Sequence, residues 1–343
     1  MSLDYLYNLA TDRDNGFIAG LLKVLLFILS LIYGLIVKVL IWRYSINPKR
    51  LDCKVISVGN ITLGGTGKTA LVEFIAKFLK EKGLKSAILS RGYKTPDEPL
   101  MLKRNLGDIP VIVDADRVRA AERAISDYQV KAVILDDGFQ QWRIKKDLEI
   151  VAIDVTCPFG NQHLLPRGIL REPLSALKRA DIFILTKTNL NPDFQEIKDR
   201  LNSLNAKALV IESIHQPVGF YALTDKKELS RMQDLKGATV ALFCGIGDPD
   251  SFESMIMGMG INVGLSFKFG DHYSYLQQDL DKIAQDSQKK NIHTIITTEK
   301  DAARISLLGL DSKMLPILVL GIELAVPKDE ERLFHRLAGL FPA

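Results

Sequence analysis

The sequence predicts an α/β protein: a mostly parallel sheet with helices on both faces, a smaller C-terminal α/β lobe and an apolar N-terminal helix. Three observations carry this reading. Short apolar runs alternate with helical patterns after Pro48. The alternation restarts after Pro217. Before it, residues 17–42 are almost wholly apolar, interrupted by Lys23 and Lys38.

Bulk composition fits such a chain. With 343 residues, one large domain or two are expected. Apolar residues at 47% supply a sizeable core and argue against wholesale disorder. A net charge of +4 is too small to signal nucleic-acid binding, but suits an anionic substrate or membrane surface. Cys53, Cys157 and Cys244 are odd in number and spaced for neither zinc nor a disulfide framework. They read as packing residues in a reducing compartment.

The first element is the apolar helix. Its uninterrupted part, residues 24–37, would be about 21 Å long, short of the ~30 Å hydrocarbon core. With Lys23 and Lys38 snorkelling it would just span. A buried core helix and a cleavable signal are the alternatives. No small-residue cleavage site follows, and residues 44–54 are basic instead. A membrane-associated helix lying in or dipping into the bilayer is expected, with Arg43, Lys49, Arg50 and Lys54 near anionic lipid.

Next come strands at 54–59, 86–90, 110–113, 132–135, 148–153, 182–186 and 208–212, with helices at 68–82, 117–128 and 192–204. The second lobe carries strands at 239–244, 262–267, 294–297 and 317–320 and a closing helix at 328–340. The predicted division is 1–44 for the helix, 45–216 for the core and 217–343 for the second lobe. Residues 216–222 read as a linker.

The strand at 54–59 feeds a helix through Thr62-Leu63-Gly64-Gly65-Thr66-Gly67-Lys68-Thr69. Such a loop leaves backbone N–H groups facing an anion, with the helix dipole behind them. This is a phosphate-binding P-loop for a nucleotide, most simply ATP, although Thr62 stands where the usual pattern has glycine. Lys68 would neutralise phosphate charge and the Thr69 hydroxyl would ligate Mg²⁺. Asp136-Asp137 end the run at 132–135, where P-loop proteins hold a second metal-binding carboxylate. Adjacent strand residues face opposite ways, so both reach one metal only if the strand ends there. Asp116 opens the helix at 117–128. It reads either as that helix's N-cap or as a proton acceptor at the carboxyl rim of the sheet. Asp271-His272 follow a strand of the second lobe. Arg91, Arg167 and Arg171 are candidate phosphate ligands or solvated surface.

These segments resemble the tetraacyldisaccharide 4'-kinase family. The resemblance begins with Val58-Gly59-Asn60-Ile61-Thr62 running into the glycine loop, where Thr62 is itself a family feature. It continues in order through Ser90-Arg91-Gly92-Tyr93, Asp116-Arg117, Asp136-Asp137-Gly138-Phe139-Gln140, Gly160-Asn161 and Leu164-Leu165-Pro166. Leu170-Arg171-Glu172-Pro173, Phe243-Cys244-Gly245-Ile246, Asp271-His272 and Thr298-Glu299-Lys300-Asp301 complete it. Ala70, Gln141, Gly270 and Pro158 depart from the pattern, and none removes a charged group from the site.

The resemblance implies ATP- and Mg²⁺-dependent phosphorylation of the 4'-hydroxyl of a tetraacylated glucosamine disaccharide 1-phosphate, in lipid A biosynthesis. It implies a peripheral or monotopic protein at the cytoplasmic face of a bacterial inner membrane, with a glycolipid substrate, no nucleic acid and no obligate protein partner. By the same likeness Asp116 and His272 deprotonate the hydroxyl as the two lobes close. Asp136, Asp137 and Glu172 would form the metal and phosphate shell.

A nucleotide-switch ATPase or GTPase with a deviant Walker A loop is the rival reading. Leu63 occupies its signature lysine position. Thr186-Lys187-Thr188-Asn189 matches a guanine-specificity loop only faintly, because Asn189 stands where aspartate is needed. A membrane-anchored binding protein with a vestigial loop would not need intact Lys68, Thr69 and Asp136-Asp137.

Overall fold

The computed structural model describes residues 9–12, 14, 16–92, 97–191, 193–223, 225–230, 232–306 and 316–341. Tyr93 of the Ser-Arg-Gly-Tyr cluster and Pro192 lie outside them.

The chain divides into two compact units. The first opens with α1 (Phe17–Ile46), a helix long and apolar enough to cross a membrane. Only a narrow stripe is buried: Ala19, Leu26, Ser30, Gly34 and Val37. These recur at helical spacing, and several are small, so the backbone lies close to its support. Large apolar side chains cover the remaining surface, from Phe17 at 93% exposure to Trp42 at 68%.

After α1 come β1 (Lys54–Gly59), α2 (Lys68–Glu81) and β2 (Ser86–Ser90). Within this unit β3 (Val111–Val113), α4 (Arg117–Tyr128), β4 (Ala132–Asp136), β5 (Leu148–Asp154), β6 (Ile182–Thr186), α5 (Gln195–Leu204) and β7 (Leu209–Glu212) complete a seven-stranded sheet; α3 is described below with the second unit. The strand order is β3-β2-β4-β1-β5-β6-β7, and β4, β1, β5, β6 and β7 pair in parallel with their neighbours. Strands β2, β4, β5 and β6 are buried along their whole length, the pattern of a parallel sheet covered on both sides. Val55, Ala87, Leu89, Val133 and Leu135 pack on Ala120, Ala121 and Ala124 of α4. Alternation leaves the buried Ile56, Ile88 and Ile134 for the opposite face, where α2 contacts β1, β2 and β4.

The second unit contains α3 (Asp97–Leu106), β8 (Ile214–Ala222), β9 (Asp225–Ser230), β10 (Thr239–Cys244), α6 (Pro249–Gly258) and β11 (Asn262–Lys268). It continues with α7 (Gln277–Lys289), β12 (Ile295–Thr298), α8 (Glu299–Ser306) and β13 (Ile317–Ala325). Its six strands run in the order β11-β10-β12-β13-β8-β9. Phe252 and Ile256 of α6 pack on one side of Leu242 and Ile296, while Leu280 and Ile283 of α7 meet Phe243 and Ile295 on the other.

The predicted division at residue 216 differs from this arrangement in three ways. Residues 92–111 belong to the second unit, because α3 packs on α8 and Glu98 pairs with Lys300. Residues 326–343 group with the first unit. There α9 (Glu330–Ala338) lays Phe334 against Phe78 of α2, ring centroids 4.3 Å apart. The predicted linker at 216–222 is strand: Phe220 and Tyr221 are buried in β8, which pairs antiparallel with β9. Pro217, which suggested a break, lies within the strand, before the stretch that pairs with β9 from Phe220 onward.

No disulfide joins Cys53, Cys157 or Cys244. Burial pushes the Cys53 thiol up to about 11 and the Cys244 thiol up to about 12, which keeps both protonated.

Strand β1 and the turn after β4 approach each other backbone to backbone. A Cβ built on Gly59 would stand 2.4 Å from the Phe139 backbone nitrogen. Backbone cannot yield as a side-chain tip can. Gly59→Ala is therefore expected to destabilise the protein by at least about 2 kcal/mol in denaturant titration; a loss below half of that would contradict the packing.

Candidate active site

The loop between β1 and α2 is held from below by long-range pairing. Thr62 bridges Leu170 in antiparallel fashion. Leu63 N donates to Ile169 O at 2.8 Å, and Arg171 N donates to Ile61 O at 2.8 Å. The buried Asn60 side chain donates to Thr62 O at 2.7 Å. Beyond this clamp the chain rises over Gly64, at φ +115°, and a Cβ on Gly64 or Gly65 would meet nothing within 4 Å. Gly67 takes the left-handed conformation at φ 79° and delivers Lys68 as the first residue of α2. Amide groups at this helix start face an open space suited to phosphate. Thr186 donates its hydroxyl to Thr66 O at 3.0 Å, and the buried Thr66 Oγ1 has no hydrogen-bond partner among the described residues.

Two carboxylates follow β4. The strand ends at Asp136, so the condition for both to stay at the rim is met. Asp137 turns into the left-handed region at φ 54°. Asp136 is 4% exposed, and Ser90 Oγ donates to it at 3.4 Å. Asp137 accepts two parallel bonds from Arg171, at 2.7 and 2.9 Å, and its Oδ1 lies 3.8 Å from Lys68 Nζ. Arg171 also reaches Asn60 Oδ1 at 3.2 Å. Two cations around one carboxylate offset its charge where phosphate would enter. Lys68, Asp137 and Arg171 are thus brought together.

Glu172 is placed differently from the expectation of a metal ligand. It is fully buried and accepts from Gln140 at 3.1 Å, Trp142 at 3.3 Å and Arg179 at 3.1 and 2.9 Å. The Arg179 guanidinium stacks on Phe139, 4.4 Å from the ring centroid. Those donors occupy the carboxylate, which ties the turn after Asp137 to the loop carrying Arg171. Among the described residues no three His, Cys, Asp or Glu converge on a metal cage. The oxygen donors Thr69 and Asp136, both nearly buried, still fit Mg²⁺, which takes one or two protein ligands and completes its shell with phosphate and water.

Arg167 also lies elsewhere than expected. It pairs with Asp12 at 2.9 Å, and Asp12 in turn meets Lys23 of α1 at 2.8 Å and Asn161 at 3.0 Å. This cluster docks α1. Burial opposes ionisation of Asp12, but these donors outweigh it and hold the carboxyl well below the usual range. Arg91 is exposed at the end of β2. In the second unit His272 is at φ 59° and donates its backbone N–H to Gly245 O at 3.1 Å. Its Nε2 stands 3.8 Å from Asp271 Oδ2, beyond hydrogen-bond reach.

Asp116 serves as a cap and remains accessible. Its Oδ1 accepts from the backbone of Val118 at 2.9 Å and Arg119 at 3.4 Å, which caps α4. Its Oδ2 lies 3.7 Å from Arg143, and the side chain is 39% exposed. Asp114, which sequence reasoning passed over, shapes this turn. It accepts from the Asp116 backbone at 2.9 Å and holds Arg119 through two bonds of 2.7 Å. Asn60 and Thr186 were passed over for a different reason: their partners Arg171 and Thr66 are distant in sequence. The Arg119 hydrogen bonds, then the Asp116 amide, lower the Asp114 carboxyl to about 2. That value lies below the ~3.9 of an unfolded aspartate. The stabilisation is therefore present above the unfolded value and is lost as pH falls towards the folded one. An NMR titration should find the Asp114 midpoint near 2 in the native chain and higher in Arg119→Ala; a native midpoint near 4 would contradict the geometry.

Comparison with known proteins identifies the family. The family model described as LpxK, tetraacyldisaccharide-1-P 4'-kinase, matches residues 22–341. The tetraacyldisaccharide 4'-kinase of Halothermothrix orenii is 36% identical, over 94% of this chain and 94% of its own. That of Desulfatibacillum aliphaticivorans is 34% identical, over 89% of each chain. Among solved structures, the "apo" form of LpxK from Aquifex aeolicus in complex with ATP matches with a TM-score of 0.75 at 26% identity. That match covers 94% of this chain and 100% of the other. The chain belongs to the tetraacyldisaccharide 4'-kinase family.

Proposed function

We propose that this chain transfers the γ-phosphate of ATP to the 4'-hydroxyl of a tetraacylated glucosamine disaccharide 1-phosphate, while α1 holds it peripherally on the cytoplasmic face of a bacterial inner membrane. The observation that carries the reading is the cradle itself: the glycine loop with Lys68, Asp137 and Arg171 assembled at its side, in a chain of this family.

Phosphoryl transfer depends mainly on positioning and charge stabilisation. The amides from Gly64 to Thr69 and the Lys68 ammonium would hold the phosphate chain. Mg²⁺, when bound, supplies further neutralisation of the phosphate oxygens, with Thr69 and Asp136 as the donors suited to hold it. Arg171 offsets the Asp137 carboxylate, which would otherwise repel the nucleotide. Asp116 keeps one carboxylate oxygen clear of the helix cap and can take the proton of an incoming hydroxyl there. His272 is assigned the supporting role that the family pattern gives it.

The acceptor is a lipid, so the enzyme must work at a surface. Leu25, Ile28 and Ile32 on the outward side of α1 are each more than half exposed, whereas the opposite side is docked on the protein. A helix with one side packed and the other bare is suited to lie in a bilayer surface.

Purified protein with γ-labelled ATP and the lipid acceptor should yield labelled lipid. Asp116→Asn is expected to lower transfer about 100-fold or more while ATP still binds. His272→Ala should likewise lower transfer and spare binding. Label released only as orthophosphate by the wild type would sink the kinase reading, and unchanged transfer by Asp116→Asn would leave that residue a helix cap. Paired Leu25→Asp and Ile32→Asp substitutions should abolish co-sedimentation with anionic vesicles without lowering Tm; full retention would place membrane binding elsewhere.

A further inference from the structure

Helix α1 meets the segment that carries Arg171 at successive turns. Phe27 sits edge-on to His163, with ring centroids 5.6 Å apart. Gly34 lies so close to Leu164 that a Cβ would come within 2.7 Å of its Cδ1. Between these packing contacts Tyr33 donates its hydroxyl to the backbone carbonyl of Arg171 at 2.9 Å, across 138 residues of chain.

That carbonyl occupies a consequential place. The Arg171 N–H donates to Ile61 in the strand pairing beneath the cradle. The Arg171 side chain clamps Asp137, and the next residue, Glu172, is fixed by Gln140, Trp142 and Arg179. The Tyr33 hydroxyl therefore holds the peptide from which both side chains depart. Phe27 and Gly34 already supply packing for the helix, so docking has no need of a polar contact at this point. The hydroxyl sits on a half-buried ring and ends on a residue of the phosphate site.

We propose that Tyr33 is a positioning residue: it fixes the Arg171 peptide so that the guanidinium neutralises Asp137 beside Lys68, which makes nucleotide affinity depend on how α1 is seated. Without the hydroxyl the carbonyl loses its donor, the Arg171 fork moves on Asp137, and more of the carboxylate charge faces incoming phosphates. The inference rests on the nucleotide-binding part of the kinase reading and not on the identity of the acceptor.

The test is a double-mutant cycle on the full chain in detergent micelles, read by calorimetric binding of a non-hydrolysable ATP analogue. Tyr33→Phe keeps the ring and its packing, so the fold is retained. It is expected to weaken binding about fivefold, the loss of one hydrogen bond's worth of positioning. Arg171→Ala weakens binding by itself, and adding Tyr33→Phe to it should bring no further loss. Wild-type affinity in Tyr33→Phe would overturn the proposal. So would a loss that adds in full to that of Arg171→Ala, since Tyr33 would then act on the fold in general. Because no lipid is present, this experiment and the label-transfer experiment can fail independently.

Discussion

Asp137 holds the Arg171 guanidinium through two short hydrogen bonds, with the Lys68 ammonium 3.8 Å from its Oδ1. Much of the first unit is arranged to keep these three groups in register. The carboxylate can reach the cradle because β4 stops at Asp136 and the chain turns left-handed at Asp137. That turn fits only because Gly59 leaves room for the Phe139 backbone and Gly138 leaves room for Ser57 and Leu135. Arg171 arrives from the far side because residues 169–171 pair with 61–63. A charge cluster of this kind is costly to bury unless every member is partnered. Glu172, Arg179, Gln140 and Trp142 meet that requirement one residue further along.

The same segment faces outward to α1. Lys23, Asp12, Arg167 and Asn161 pin the start of the helix, and Tyr33 meets Arg171 further along it. The helix is therefore not a tether joined to an independent enzyme. Its half-buried Tyr33 reaches the segment that supports the phosphate site, and most of the exposed large apolar side chains among the described residues lie on this helix. A kinase whose acceptor resides in a bilayer gains from placing both functions on one element, since the distance from lipid to site is then set by a rigid helix.

What the sequence showed and what it hid divide along local and long-range chemistry. The glycine loop, the strand before it, the helix after it and the paired aspartates were legible because each is a contiguous signal with one local consequence. The capping role of Asp116 was equally legible; the cap uses Oδ1, which leaves Oδ2 for the proton acceptance proposed above. Arg167 read as a phosphate ligand because it is a cation in a loop near the site, and Glu172 as a metal ligand through the family resemblance. Their partners, Asp12 and Arg179, are fixed only by the fold. Residues 92–111 read as part of the core because they follow β2 in sequence, and only the packing of α3 on α8 moves them to the second unit. Pro217 read as a break because a proline signal carries no information on whether its neighbours are buried.

The central claim is that the cradle passes phosphate to a sugar hydroxyl and not to water. Phosphorus NMR of the lipid recovered after incubation of the purified full chain with ATP, Mg²⁺ and tetraacyldisaccharide 1-phosphate tests it most directly. The account predicts a second phosphomonoester resonance correlated with the proton at carbon 4', formed in equal amount to ADP. ADP and orthophosphate accumulating beside an unchanged lipid spectrum would contradict it.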